Sequence, residues 1–298
     1  GLLTVDANNL NFLKLPKVDL FASSFAGGAH GYPLNCENYD LKDRIKMVQI
    51  DKTFIKRTKF KYIERIKPSY FLPYAGFFKE KLKRDNIYIK YNKKNETKDY
   101  VDICKKYNVN LLDPEKKDIF EFSKNKKFKS SKYKGKYFKD LSAKKYLNYY
   151  LKKYQDIDLE YIENYFLNCN FHDGSKLYIS LTNDDFEVKN LNFKIEFSEK
   201  IKFFVLEKNL FNHLDNDSNY LHLKIRKESF LNTIYNKRSW EDISIGFQNR
   251  QYRKPNVYNS KFWFHFSNIY VSKKYVKSQT NCSACISLNQ DMHNIMFK

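Results

Sequence analysis

The 298-residue chain is poor in the residues that punctuate and staple small folds, with 8 Gly, 6 Pro and 5 Cys. The cysteines, at positions 36, 104, 169, 282 and 285, are odd in number and irregularly spaced. That excludes a disulfide framework and suits a reducing, cytoplasmic compartment. No apolar stretch approaches the ~20 residues that a bilayer crossing needs, so no membrane span is expected. Acid is scarce too: 34 Asp and Glu face 55 Lys and Arg, leaving a net charge of +21. The opening Gly1-Leu2-Leu3-Thr4-Val5-Asp6 lacks the basic flank of a signal peptide and reads like the middle of a domain.

Aromatic residues are plentiful, at 17%, which excludes a disordered chain. The length allows one large domain or two ordinary ones. The basic excess fits a polyanionic partner. It equally fits a genome bias, since Lys, Asn, Ile, Tyr and Phe all have AT-rich codons. The densest run, from Lys124 to Lys139, holds eight lysines and no acid, interleaved by Phe128, Tyr133, Tyr137 and Phe138. Aromatic faces with flanking cations can stack and neutralise a single nucleic-acid strand. A solvated connector has the same composition.

Residues 1–122 alternate strand and helix. Strands are expected at 2–5, 18–25, 70–72 and 109–112. A long helix is expected from Leu41 to Ile66, because Leu41, Ile45, Val48, Ile55, Tyr62 and Ile66 keep the spacing of one buried stripe. Pro68 ends it. A shorter helix falls near 99–107. Such alternation predicts a layered α/β domain with functional loops at strand ends. Residues 123–140 read as the basic connector and 141–298 as an α+β region. Helices are expected there near 143–154 and 159–168, and strands at 176–181, 193–197, 201–206 and 220–227.

Several residues could carry chemistry. Asp6 closes a strand before a polar turn, which suits a metal ligand, an acid/base or a plain turn-former. Gly27 and Gly28 permit close backbone approach, and His30 in the same turn could titrate or ligate. Both tryptophans, Trp240 and Trp263, lie in one stretch with Gln248, Arg250, Arg253, Tyr258 and His265. Arg pairs with phosphate or carboxylate, while Trp and Tyr stack on bases and sugars. Packing of an aromatic cluster would leave the same pattern. Cys282-Ser283-Ala284-Cys285 has ligand-like spacing, yet a zinc site needs two more partners. A Rieske cluster needs a CxH and a CxxH element together, and the chain does not carry that pair.

In order along the chain, five segments resemble the CMP-N-acetylneuraminate hydroxylase family. Thr4-Val5-Asp6 is similar to its TVD, and Phe25-Ala26-Gly27-Gly28-Ala29-His30-Gly31-Tyr32-Pro33 to its FAGGASGFP. Leu72-Pro73-Tyr74-Ala75-Gly76-Phe77-Phe78 is similar to its CPFAGYF. Ile245-Gly246-Phe247-Gln248-Asn249-Arg250 and Phe262-Trp263-Phe264-His265-Phe266 are similar to its IGFQTR and FWNHF. His30 stands where the family pattern has Ser.

The resemblance implies the C-terminal half of a metallo-β-lactamase-type αββα sandwich followed by a family-specific α+β region. It implies a Rieske [2Fe-2S] domain and an HxHxDH metal motif upstream in full members. Asp6 would then ligate a divalent metal, iron or zinc, together with upstream residues. The substrate implied is a nucleotide-activated sugar, contacted by Gly27, Gly28, His30, Gln248, Arg250, Arg253, Tyr258, Trp263 and His265. Electrons would come from a haem cytochrome or another reductase, so the chain by itself is expected to be inactive. Two other readings remain: a metallo-β-lactamase-fold hydrolase of phosphoester or amide bonds, and a non-catalytic nucleic-acid-binding module acting through the 124–139 run.

Overall fold

A computed structural model of the chain describes residues 1–4, 10–26, 31–77, 80, 82–116, 118–123, 128–135, 142–206, 214, 217–245 and 247–270. The chain divides into two compact units, Gly1–Ala143 and Lys144–Lys298.

The first unit is built on four parallel strands in sequential order: β1 (Leu2–Thr4), β2 (Leu20–Ser23), β3 (Tyr70–Pro73) and β4 (Asn110–Leu111). Helix α1 (Leu41–Ile66) makes the crossover from β2 to β3. Asp40 starts it by accepting a hydrogen bond from the Asp43 N–H at 2.7 Å. Lys67 ends it in the left-handed region, at φ 44°, with its N–H on the Ile63 carbonyl. The boundary is the one the sequence predicts ahead of Pro68. Strand alternation puts the register partners Phe21 and Phe71 on one face, their ring centroids 5.5 Å apart. Tyr62 and Ile63 of α1 complete the buried cluster with Tyr100 and with Cys104 of α3 (Val101–Lys106). Helix α2 (Asn86–Tyr91) precedes them and was not foreseen.

The other face of that sheet carries Leu3, Ala22, Tyr70 and Leu72 by the same alternation. Tyr70 is covered by a hairpin, β5 (Asp118–Phe122) with β6 (Phe128–Lys132), through Phe122 at 5.3 Å and Phe128 at 4.6 Å. Strand β6 falls inside the stretch expected as a connector. Its lysines mask the apolar row that Phe120, Phe122 and Phe128 form across the pair. Packing on Tyr70, not local charge, decides the structure there.

The second unit begins with α4 (Ala143–Lys153) and α5 (Leu159–Leu167). Strands β7 (Lys176–Thr182), β8 (Val188–Glu196), β9 (Lys202–Leu206), β10 (Tyr220–Arg226) and β11 (Asn249–Lys254) form one sheet, ordered β11-β10-β7-β8-β9. Only the β10–β7 pair in it is parallel. Helices α6 (Lys227–Tyr235), α7 (Glu241–Ile245) and α8 (Ser260–Asn268) supply further elements the sequence reading left unassigned, as was β11. Leu177, Ile179, Phe193, Ile195, Leu223 and Ile225 turn one sheet face towards Phe166 of α5, Phe230 and Ile234 of α6 and Phe262 and Phe266 of α8. Trp240 is fully buried among them, and its indole N–H donates to the Tyr165 hydroxyl at 2.9 Å.

Phe71→Ala is expected to destabilise the first unit by about 3–5 kcal/mol through lost burial and a residual cavity. Denaturant unfolding followed by circular dichroism measures this, and a loss of under ~1 kcal/mol would contradict the core position assigned to Phe71.

Candidate functional site

In the second unit a cleft of about 210 Å³ opens where the starts of β7 and β10, the end of β11 and the first turn of α8 meet. Its walls include Lys176, Arg253, Lys254, Tyr258, Phe262 and Trp263, with Phe197 and Tyr220 among the further lining residues. Among the described residues that line it, none is acidic. Arg253 is nearly buried at 9% exposure, and its Nε donates to Asn256 Oδ1 at 3.1 Å. That bond pins the guanidinium. Lys254, one residue on, is exposed. Lys176 is balanced locally: its ammonium and the Tyr178 hydroxyl both donate to Asp217. Burial acts to raise the Asp217 pKa, but those two donors, with the charges of Lys176 and Lys194, outweigh it and hold the carboxyl below its ordinary value.

Sequence dictates the aromatic wall. Asn259 N-caps α8, its Oδ1 accepting from the Phe262 N–H at 3.0 Å. Phe262 and Trp263 in the next turn then face the cleft, while Tyr258 stands at the rim, 58% exposed. Trp263 packs edge-on against Phe262 at 5.4 Å and Trp240 at 6.5 Å. A cation held beside aromatic faces can neutralise a phosphate or carboxylate while a planar ring or a pyranose lies on the wall.

Three of the residues singled out from sequence thus come together: Arg253, Tyr258 and Trp263. Gln248 and Arg250 do not join them. Along β11 the side chains alternate, so Asn249, Gln251 and Arg253 turn to one face and Arg250 and Tyr252 to the other. Arg250 lies over the Phe186 ring at 4.2 Å, and Arg226 lies over the same ring at 4.5 Å. Gln248 is bound into this second cluster, its Oε1 accepting from Arg226 and from the Ser229 hydroxyl. Arg226, fully buried, was missed by sequence reading; it ends an alternating strand, where a polar residue looks like the exit to solvent.

His265 sits in the core, with Nε2 2.7 Å from the Cys169 carbonyl oxygen and its ring 4.9 Å from that of Phe171. Burial lowers its pKa. Asp6, Gly27, Gly28 and His30 lie outside the described residues, as do Cys282 and Cys285. Of the 124–139 run only 128–135 is described. Residues flanking the Gly-Gly turn, Ala26, Tyr32 and Pro33, line a cleft of about 240 Å³ in the first unit with Lys52 and Lys94. Carboxylates answer both lysines there: Glu80 lies 3.9 Å from Lys94, and Asp99 is held down in part by Lys52.

Cys169 and His172 have CxxH spacing, but they do not form a ligand pair. The thiol is buried and pushed up to about 12 by burial, while His172 is exposed and engages Ser198 and Asn170. Among the described residues no group of three His, Cys, Asp or Glu could hold a metal ion, and no helix is long and apolar enough to cross a membrane.

Comparison with known proteins bears out the resemblance over most of the chain. Proteins named cytidine monophosphate-N-acetylneuraminic acid hydroxylase match it from Asterias rubens, at 26% identity, and from Danio rerio, at 25%. The Xenopus laevis protein of that name is 26% identical. Each match covers 88% of this chain but 42–46% of the relative, so the chain spans a little under half the length of these proteins. No protein-family model matches the chain, and no solved structure does.

On the polar face of the second sheet His222 is buried, with Nε2 2.9 Å from Ser180 Oγ. Burial, then the nearby Lys224, lower its pKa from 6.5 to about 4. The folded state therefore holds this imidazole neutral while the unfolded chain protonates it near 6.5. Stability contributed by that difference is complete above the unfolded value and is lost as pH falls from 6.5 towards about 4. Denaturation midpoints are expected to drop across that interval. His222→Gln should flatten the drop, and an unaltered slope would overturn the assignment.

Proposed function

We propose that this chain is the substrate-contacting, C-terminal portion of a CMP-N-acetylneuraminate hydroxylase-like monooxygenase, acting on a nucleotide-activated sugar. The observation that carries the reading is the acid-free cleft in which Arg253 is pinned beside Tyr258 and Trp263. Similarity to the hydroxylases over 88% of the chain supports it. In this reading Arg253, with Lys254 at the rim, takes the phosphate, and Trp263 or Tyr258 takes the base. Both contacts orient the sugar and exclude water; neither performs the oxidation.

For the first unit we propose the C-terminal half of a metallo-β-lactamase-type sandwich. Supporting it are the parallel order of the four strands and the apolar second sheet face, where Leu3 is 70% exposed. The described residues do not assemble a metal or iron–sulfur site, so no step is derived through either group. Oxygen activation and electron entry from a reductase are assigned to Rieske and HxHxDH segments of the kind the family carries.

Titration calorimetry with CMP tests the cleft. Arg253→Ala is expected to weaken CMP binding about 10–100-fold, the loss of one charge-assisted hydrogen bond, while cytidine, lacking the phosphate, loses little. Exposed Lys254→Ala should weaken it less and in a salt-sensitive way. Equal losses for CMP and cytidine, or no CMP binding by the unaltered chain, would overturn the nucleotide assignment. With a reductase alone the chain is expected to yield no hydroxylated product, and detectable turnover would refute the division of labour.

A further inference from the structure

Asp173 is not one of the residues lining the cleft, yet it joins two of the cleft's walls. Its Oδ1 accepts from the Ser175 N–H at 2.9 Å and from the Ser175 hydroxyl at 2.5 Å. Its Oδ2 accepts from Asn259 Nδ2 at 2.8 Å. Ser175 is a cleft residue at the entrance to β7, and Asn259 is the N-cap of the helix that carries Phe262 and Trp263. Gly174, between Asp173 and Ser175, has φ +77°, a conformation that side-chain-bearing residues avoid, so the turn is shaped to return the chain towards β7. One carboxylate therefore sets the position of the aromatic helix relative to the strand that bears Lys176.

We propose that Asp173 is a positioning residue for ligand binding in this cleft, holding α8 at the distance that lets Trp263 and Arg253 engage one ligand together. The ligand named rests on the nucleotide reading; the geometry does not. All three groups that Asp173 accepts from are donors, so it must be acceptor-only at both oxygens. In Asp173→Asn the new amide nitrogen must face either Asn259 Nδ2 or the Ser175 donors. Turning the Asn259 amide to relieve the first clash removes the cap on Phe262. A swap escapes this: in the double variant Asp173→Asn with Asn259→Asp, residue 173 keeps Ser175 on its amide oxygen and donates to residue 259, which still caps Phe262.

Charge alone argues the opposite way, which makes the test decisive. Removing a carboxylate near a cationic cleft would tighten binding of an anion. Positioning instead predicts that Asp173→Asn binds CMP about fivefold more weakly, the effect of one net hydrogen bond. The swap restores the link but moves the carboxylate onto position 259, which lines the cleft, so it should recover part of the lost affinity rather than all of it. Asn259→Ser, which keeps a capping oxygen but not the link to Asp173, should weaken binding as Asp173→Asn does.

Acrylamide quenching of tryptophan fluorescence supplies a ligand-free readout, because Trp240 has no exposed surface while the largely buried Trp263 keeps 7% and would gain more if α8 shifted. Quenching should rise in both single variants and return to the wild-type value in the swap, with circular dichroism confirming that each is folded. Equal or tighter CMP binding by Asp173→Asn, or a folded swap that restores neither affinity nor quenching, overturns the proposal. If the unaltered chain binds no CMP, the nucleotide reading fails and the quenching series decides alone: the stated pattern upholds Asp173 as the residue that sets the cleft, and its absence refutes it.

Discussion

The cleft depends on how α8 is fastened to the sheet beneath it. Phe262 and Phe266, one turn apart, meet at a tilt with centroids 4.8 Å apart and close on Trp240 at 5.5 and 4.9 Å. The indole would be costly to bury without a partner for its N–H, and the Tyr165 hydroxyl provides one. Burial in turn keeps that phenol protonated, by raising its pKa. An aromatic cluster of this size is stiff, because each ring has few rotamers to lose and close neighbours on several sides. Everything mounted on α8 inherits that stiffness. Trp263 can present a wall only because the residues on either side of it are locked.

Electrostatics shapes the rest more by placement than by total. A net charge of +21 would surround the chain with positive potential whatever the fold. Most of that charge is screened beyond a Debye length of roughly 8 Å at physiological salt, so only cations held against low-dielectric walls discriminate between ligands. In the first unit Lys94 and Lys52 face Glu80 and Asp99. In the second, Arg253 donates from Nε to a neutral amide, Asn256, which helps orient the guanidinium. On the opposite face of β11, Lys224 and Arg250 are register partners, a pairing of like charges that costs stability. The Phe186 ring, which Arg226 and Arg250 both approach, offsets part of that cost.

Residues next to one another in sequence therefore serve different places. Arg250 and Arg253 look like one basic motif on paper, and His265 like part of the same aromatic–basic patch. The period of two along β11 separates the arginines, and the period of 3.6 along α8 sends His265 inward to the Cys169 carbonyl while Trp263 meets the cleft. Neither separation could be read before β11 and α8 were recognised. The aromatic density of 240–266 reads as a cluster and hides both periods.

Local chemistry by itself determined much of the chain. The Leu41–Ile66 helix follows from its apolar stripe, an Asp cap and the proline after its end, none of which depends on distant residues. Most of the strands flanking that helix and the core strands of the second unit were legible as apolar runs for the same reason. Arg253, Tyr258 and Trp263 were legible as residue types that bind anions and rings. Their assembly was not, because it needs β10 beside β11, the 255–259 turn, and Asp173 reaching Asn259 across 86 positions. Likewise the hairpin over Tyr70 was hidden by its own lysines. Charge and capping act over a few residues and leave their mark in the sequence; the positions of walls facing a cleft come from long-range packing, which only the tertiary structure decides.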